Sequence, residues 1–142
     1  LGTLLQPGNV VALEGDLGSG KTTLVQGIAQ GWGSADRVSS PTFVILNDYR
    51  HSNGRHLYHA DAYRLNPESP LDSEILDLDN LLGKGILMVE WAERIKASLP
   101  SENLWIKMNW VSDEQRHLVL EPHGRQYENI VKKLQQAVFG AS

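Results

Sequence analysis

The sequence predicts an α/β fold, a mixed and partly antiparallel sheet flanked by helices. Two continuous apolar runs support this prediction, at residues 9–14 and 85–90. Each is short and apolar apart from its ends, as expected for a strand that is buried on both faces of a sheet. The first run leads into a glycine-rich turn and then into a helical pattern that begins at Lys21. A strand, a turn and a helix in this order are typical of α/β folds.

Length and composition indicate one globular domain over residues 1–142, because about 150 residues is a common domain size. There are no cysteines, which excludes disulfides, thiolate metal sites and cysteine nucleophiles and fits a reducing compartment. The net charge of -4 argues against a protein that coats nucleic acid. No apolar stretch approaches the roughly 18 residues that would predict a membrane span.

The first residues predict that the native chain begins earlier than residue 1. The sequence does not start with Met, and Leu1, Leu4 and Leu5 have the spacing of a helix end before Pro7. These residues carry no positive charge ahead of an apolar run, so they do not predict a signal peptide. We therefore expect a short native segment to precede the residues given.

The first half of the chain predicts one helix and a hairpin after the first strand. Apolar residues recur at helical spacing over residues 21–32, and Gly33 follows as an end signal. Residues 42–50 are rich in β-branched and aromatic side chains, which predicts a strand. A turn sequence at residues 52–54 then predicts that residues 56–65 return as an antiparallel partner strand.

The second half of the chain predicts three helical segments and a second hairpin. The sequence Gly83-Lys84-Gly85 breaks the first of these helices, and Pro100 ends the second. The C-terminal helix has an apolar face that we expect to point inward as far as Val138. In chain order the predicted elements are a helix over 71–82, the strand 85–90, a helical segment over 91–99, a strand over 104–110, its partner over 116–121, and a helix over 127–138.

One segment has the pattern of a phosphate-binding loop. Gly15–Thr22 reads G-D-L-G-S-G-K-T and matches the Walker A pattern, G-x-x-x-x-G-K-[ST]. Glycines let backbone N–H groups approach an anion closely, and the following helix points its positive end at that anion. Lys21 is predicted to reach the β- and γ-phosphates of a nucleotide, and Thr22 to bind Mg²⁺. The predicted nucleotide-binding residues here are Asp16, Leu17, Gly18, Ser19, Gly20, Lys21, Thr22 and Thr23.

This motif refines the predicted fold to one that is like the P-loop NTPases. The buried strand before the motif and the helix after it supply the context that the motif requires. The alternative interpretation is a glycine-rich turn between a strand and a helix with a surface lysine, and the motif and its context together favour phosphate binding.

Glu90 is the first candidate for the acidic partner of the metal. It ends the apolar run 85–90, where the acid of a Walker B strand lies, although Asp is commoner at that place. We predict that Glu90 binds Mg²⁺, directly or through water. The alternative is a solvated carboxylate at the end of a strand.

Asp61 is the second candidate, because an Asp within an aromatic strand is unusual unless it is paired or binds a metal. A period of two places it on one face with His59, which we interpret as part of the wall of the site. Metal or attacking-water chemistry is predicted for Asp61, and the alternative is a buried pair with Arg64 or Arg50. The predicted catalytic residues are therefore Lys21, Asp61 and Glu90.

Three further residues are candidates for contacts with the nucleotide. Ser40 and Thr42 lie in the loop after the first helix, where many P-loop proteins sense the γ-phosphate through a hydroxyl. Trp91 follows Glu90 directly and is predicted to cover the nucleotide or to face a partner. The alternatives are turn capping for the two hydroxyls and core packing for the indole.

The absence of certain motifs limits which nucleotide and which activity the sequence predicts. There is no N-K-x-D motif to read guanine and no D-x-x-G switch, so ATP is favoured over GTP. The arginines are scattered, and none is an obvious arginine finger, a group worth about 10³–10⁵ in rate. We therefore expect slow ATP hydrolysis by the chain alone and a partner that completes the site.

Four segments together resemble the TsaE family, for which YjeE is the older name. They read G-D-L-G-S-G-K-T-T at Gly15–Thr23, S-S-P-T-F at Ser39–Phe43, Y-H-A-D-A-Y-R-L at Tyr58–Leu65 and V-E-W-A-E-R at Val89–Arg94. They occur in the order and spacing of that family and span about two-thirds of the chain. The last 40 or so residues carry no motif of this kind.

The resemblance implies an accessory ATPase of bacterial tRNA threonylcarbamoyladenosine synthesis, with ATP and Mg²⁺ as cofactors. It implies Thr22 and Glu90 near the metal, Asp61 near the phosphates, and Trp91 on the nucleotide or partner side. The implied partners are a Kae1-like threonylcarbamoyltransferase subunit and its inactive paralogue, with tRNA contacted only indirectly. The implied location is the cytoplasm, with no membrane association.

Two other functions remain as alternatives at this point. One is a small-molecule P-loop kinase, which would place the γ-phosphate on an acceptor rather than release it. The other is an ATP-gated binding module in which hydrolysis is not required. The kinase is disfavoured by the short chain and by the absence of an arginine-rich lid.

Overall fold

The computed structural model describes residues 2–15, 21–34, 46–51, 53–62, 78–112 and 115–139. Among these residues, no helix is both long and apolar enough to cross a membrane. The elements described are a 3₁₀ helix Gly2–Leu4, β1 Val10–Gly15, α1 Lys21–Trp32, β2 Leu46–Arg50, β3 His56–Asp61, α2 Leu78–Lys84, β4 Gly85–Glu90, a 3₁₀ helix Ala92–Ser98, β5 Asn103–Ser112, β6 Gln115–His123 and α3 Arg125–Phe139.

The described strands form one mixed sheet in the order β2-β3-β4-β1-β5-β6. The four inner strands are parallel to one another, in the order β3, β4, β1 and β5. The two outer strands are antiparallel, because β2 pairs with β3 and β6 pairs with β5 as hairpins. The predicted mixed, partly antiparallel sheet flanked by helices is therefore confirmed.

Two apolar clusters cover the two faces of the sheet. On one face, α1 and α3 pack over the alternate residues Val11, Leu13, Ile86 and Met88. On the other face, the cluster combines Leu81 of α2 and residues of the 3₁₀ helix 92–98 with the intervening residues of the same strands. Strand β4 is buried along its whole length and β1 over residues 10–13, as their hydrophobic sequences predicted.

The start of β1 is held by the C-terminal helix. The Val10 N–H donates to the hydroxyl oxygen of Tyr127 in α3, at 2.9 Å. This bond satisfies a backbone donor that would otherwise be buried without a partner. Burial raises the pKa of Tyr127 above its ordinary value, and the hydrogen bond from Val10 opposes part of that rise. Helix α3 thus anchors the central strand at the end opposite the predicted site.

Two helix predictions differ from the structure in detail. Helix α2 ends at Lys84, within the predicted break Gly83-Lys84-Gly85 but two residues later than the predicted end, and residues 71–77 of the prediction lie outside the described residues. Val138 is 62% exposed and does not point inward, whereas Tyr127 and Ile130 are buried as expected. The apolar face of α3 contacts the core only over its first turns, because the helix extends past the edge of the cluster.

Gly85 is required where β4 starts beside β3. A Cβ built at this position would lie 2.2 Å from the His56 carbonyl oxygen, a backbone atom that cannot rotate away. We expect Gly85→Ala to lower the free energy of unfolding by about 1–3 kcal/mol, measured by urea denaturation. Gly83→Ala is the matched control, since no atom lies within 4 Å and alanine favours a helix. Equal stabilities for the two variants would contradict this account.

Candidate active site

The carboxyl ends of the inner parallel strands define one edge of the sheet. Strand β1 ends at Gly15, and α1 begins at Lys21, the lysine of the Walker A motif. The first N–H groups of a helix have no partner within the helix, and they carry a partial positive charge. Helix α1 contacts both β1 and β4. The start of this helix therefore lies at the edge where open α/β sheets bind their ligands.

Two carboxylates lie level with each other at this edge. In the strand register, Asp61 at the end of β3 pairs with Glu90 at the end of β4. Glu90 in turn pairs with Leu13 of β1, two residues before that strand ends. Glu90 is 4% exposed and Asp61 is half-buried. The two acids are 29 positions apart in the sequence, and the pairing of β3 with β4 places them side by side on adjacent strands.

Glu90 lies on the face of the sheet that α1 covers. Successive side chains of a strand point to opposite faces, so Glu90 shares a face with Ile86 and Met88, which pack in the cluster that includes α1. The same alternation places His59 and Asp61 on this face. This places the carboxylate on the same face of the sheet as α1, whose first residues are Lys21 and Thr22 of the Walker A motif.

A buried histidine contacts Glu90 from the neighbouring strand. The His59 Nε2 lies 2.5 Å from Glu90 Oε2, and the His59 side chain is fully buried. The other ring nitrogen, Nδ1, lies 3.5 Å from the hydroxyl oxygen of Tyr49 in β2. Asn47 Nδ2 donates to the same hydroxyl oxygen at 3.3 Å. Glu90 is therefore held within a buried polar network that crosses three strands.

Trp91 turns the backbone directly after Glu90. It has φ 58° and ψ 39°, the left-handed conformation, and is the only residue other than glycine with positive φ in the described part of the chain. The Arg94 N–H donates to the Trp91 carbonyl at 3.0 Å, and the Ala62 N–H donates to the Glu90 carbonyl at 2.9 Å. The half-buried indole packs against the cluster on the face away from α1. These contacts hold a turn that is strained for a residue with a side chain.

The strain at Trp91 can be measured with two truncations. Both Trp91→Gly and Trp91→Ala lose the indole, but only glycine adopts the left-handed conformation without a penalty. We expect the glycine variant to be more stable than the alanine variant by about 1 kcal/mol, from urea unfolding. Equal stability, or a more stable alanine variant, would show that this turn relaxes when the indole is absent.

A hydrogen bond also holds the end of β1 on the face of the sheet away from α1. The Trp105 Nε1–H of β5 donates to Glu14 Oε1 at 3.1 Å. The Lys96 ammonium lies 5.4 Å from the centre of the same indole, as in a cation–π contact. The sequence analysis did not find this group, because its members are distant in the sequence and share no motif. It holds the strand immediately before the Walker A turn.

The two acids at this edge have the chemistry of magnesium ligands. Among the described residues, no group of three or more His, Asp or Glu side chains that could hold a metal is found. Mg²⁺ is commonly bound by one or two carboxylates together with substrate phosphates and water. Glu90 and Asp61 supply oxygen ligands of that kind on the face of the sheet that α1 covers.

The chain matches the family model "Threonylcarbamoyl adenosine biosynthesis protein TsaE" over residues 1–118. It belongs to the TsaE family. The TsaE of Bacillus subtilis strain 168 is 42% identical over 130 residues, which cover 91% of this chain and 79% of that protein. The TsaE of Nostoc sp. PCC 7120 is 39% identical over 125 residues, covering 86% of this chain and 75% of that protein.

A solved structure supports the same assignment at the level of the fold. The crystal structure of Bacillus subtilis YdiB aligns with a TM-score of 0.74 and 34% sequence identity. The alignment covers 96% of this chain and 82% of that chain. The resemblance to the TsaE family that the four sequence segments carried is therefore confirmed.

The described residues include only part of the site predicted from the TsaE segments. Asp61 and Glu90 are brought together, Trp91 follows them in a left-handed turn, and Thr23 is exposed in the first turn of α1. Lys21 and Thr22 are placed by their backbone as the first residues of α1. The predicted residues that lie outside the described ones are Asp16, Leu17, Gly18, Ser19, Gly20, Ser40 and Thr42, together with Arg64 as an alternative partner of Asp61.

The sequence analysis identified His59 as a wall of the site but missed Tyr49 and Asn47 behind it. A period of two could have indicated this, because Asn47 and Tyr49 are two positions apart and share one face of β2. The sequence also predicted that this strand pairs with the strand that carries His59. Which face they share could not be read without the register between the two strands.

Proposed function

We propose that this chain is an ATPase that binds Mg²⁺ and ATP at the edge formed by β1, β4 and the start of α1, and that it supports tRNA threonylcarbamoyladenosine modification. The observation that carries the proposal is the buried Glu90 carboxylate at the end of the strand next to β1, level with Asp61. An acid at this position is the partner that a Walker A turn needs for its metal. The family described above supplies the biosynthetic context.

Each residue has a distinct part in the proposed reaction. The backbone N–H groups of residues 16–20 and the Lys21 ammonium hold the phosphates, and the Thr22 hydroxyl and Glu90 carboxylate hold the metal. Mg²⁺, when bound, neutralises charge that develops on the phosphate oxygens. Asp61 orients the attacking water and accepts its proton, and the γ-phosphoryl group passes to that water to give ADP and phosphate. The remaining proposed contacts with the nucleotide are Ser40, Thr42 and Thr23. Trp91, whose indole packs on the face away from α1, is proposed to face a partner.

We propose that a partner completes this site. The sequence has no obvious arginine finger, and such a group contributes about 10³–10⁵ in rate where it is present. The proposed partners are the threonylcarbamoyltransferase subunit that resembles Kae1 and its inactive paralogue. Slow hydrolysis alone and faster hydrolysis in that assembly are the expected behaviour, in the cytoplasm and with tRNA contacted through the assembly.

The experiment that tests the proposal uses the wild-type protein with the purified transferase pair. We expect the pair to be recovered in a pull-down that depends on ATP, and free phosphate to be released faster when the pair is present. Transfer of the γ-phosphate to a small acceptor would favour the kinase alternative. ATP-dependent recovery without any phosphate release would favour the ATP-gated binding module.

A further inference from the structure

A chain of hydrogen bonds behind Glu90 crosses strands β2, β3 and β4. It runs from Asn47 through Tyr49 and His59 to Glu90, with separations of 3.3, 3.5 and 2.5 Å between the polar atoms. Tyr49 is 4% exposed and His59 is fully buried. Buried polar groups of this kind are retained where each has a hydrogen-bond partner. The chain ends on the carboxylate proposed to hold the metal.

The contact with Glu90 defines one hydrogen of the imidazole ring. A carboxylate oxygen only accepts, so a hydrogen bond to Glu90 Oε2 requires a hydrogen on His59 Nε2. Asn47 Nδ2 donates to the Tyr49 hydroxyl oxygen, which lies beside Nδ1 on the other side of the ring. The chain therefore favours an Nε2–H ring at His59.

We infer that His59 is a positioning residue for Glu90, fixing the direction from which its carboxylate meets the magnesium nucleotide. The inference rests on the function proposed above. A glutamate side chain has several rotatable bonds, and a hydrogen bond to one of its two oxygens restricts them. Groups that hold a metal ligand from behind typically change metal affinity by about 10–100-fold when they are removed. Tyr49 lies against the other side of the imidazole ring, and Asn47 donates to its hydroxyl oxygen.

A purely structural buried pair would contain the same contact and must be distinguished from this role. Such a pair would change protein stability when it is broken, but it would leave metal affinity unchanged in the folded protein. The positioning role predicts instead a change in metal affinity in the folded protein. Nucleotide binding without metal stays as in the wild type, whereas binding of the metal to the nucleotide complex weakens.

Two isosteric replacements of His59 separate these roles. In His59→Gln the amide nitrogen lies where Nε2 was and still donates towards Glu90, whereas in His59→Asn the amide reaches only as far as Nδ1. ATP affinity is measured in EDTA with a fluorescent ATP analogue. Metal affinity is measured at saturating ATP by the loss of the free Mn²⁺ signal in electron paramagnetic resonance.

We expect His59→Asn to weaken Mn²⁺ binding to the ATP complex by about 10–100-fold and His59→Gln to restore most of it. Both variants are expected to bind the ATP analogue in EDTA as the wild type does. Wild-type Mn²⁺ affinity in His59→Asn, or equal losses in the two variants, would overturn the inference. A wild-type protein that binds no nucleotide, or adds nothing to the affinity of ATP for Mn²⁺, would instead overturn the proposed function.

A measurement on the wild type keeps the inference testable where His59 variants do not fold. Nitrogen-15 spectra of the histidine rings are expected to show a hydrogen on Nε2 of His59. This signal is also expected to shift when Mg²⁺ is added to the protein with ATP. A ring without hydrogen on Nε2, or a signal that does not respond to Mg²⁺, would overturn the positioning role.

Discussion

Replacing Lys21 by alanine is expected to abolish the rise in melting temperature that ATP and Mg²⁺ produce in the wild type. Ligand at 100 times its dissociation constant stabilises a folded protein by about 2.7 kcal/mol. For a domain of this size that corresponds to roughly 5–10 °C in melting temperature. The Lys21 ammonium is the positive charge that the Walker A motif brings to the β- and γ-phosphates. Its loss leaves the backbone N–H groups as the main contacts with a highly charged anion.

Differential scanning fluorimetry with and without the nucleotide measures this effect. Lys132→Ala is the matched control, because Lys132 is an exposed lysine of α3 and lies outside the proposed site. The two variants are expected to melt alike without nucleotide and to differ only in its presence. An unchanged shift in the Lys21 variant would refute phosphate binding by the Walker A turn.

Replacing Glu90 by glutamine is expected to reduce ATP hydrolysis in the assembled complex by about 100-fold or more. Glutamine keeps the size of the side chain and leaves an oxygen to accept from His59 Nε2–H. The replacement removes the negative charge that is proposed to balance Mg²⁺ at the edge of the sheet. Binding of ATP in EDTA is expected to survive, because the phosphate contacts come from the Walker A turn.

Phosphate release by the variant is compared with that of Glu128→Gln, the same replacement at an exposed position of α3. The control is expected to keep the wild-type rate. A Glu90 variant with full activity would move the metal ligand to Asp61, which is level with it on β3. In that case Asp61→Asn is the variant that loses hydrolysis.

Local patterns predicted the elements that frame the site. The continuous apolar runs of β1 and β4 indicated strands buried on both faces, and the helical spacing after Lys21 indicated α1. The turn at residues 52–54 indicated the antiparallel pairing of β2 with β3. These features depend on neighbours within a few residues, so a single sequence contains them.

The arrangement between elements could not be predicted in the same way. His59 and Glu90 are separated by 31 positions in the sequence, and their contact depends on the parallel register of β3 with β4. A shift of that register by one residue would turn His59 to the other face. The exposed Val138 shows the same limit, because helical periodicity identifies an apolar face without saying how far a neighbour extends beneath it.

The level pairing of Asp61 with Glu90 has a consequence for protein engineering. A Walker A turn is contiguous and can be transplanted as a cassette between unrelated strand–helix units. Asp61 and Glu90 are not part of that segment, because they lie on β3 and β4 and their relative position depends on the pairing of those two strands. If the proposed function holds, we expect a graft of residues 15–23 alone to give a recipient that binds phosphate without hydrolysing ATP.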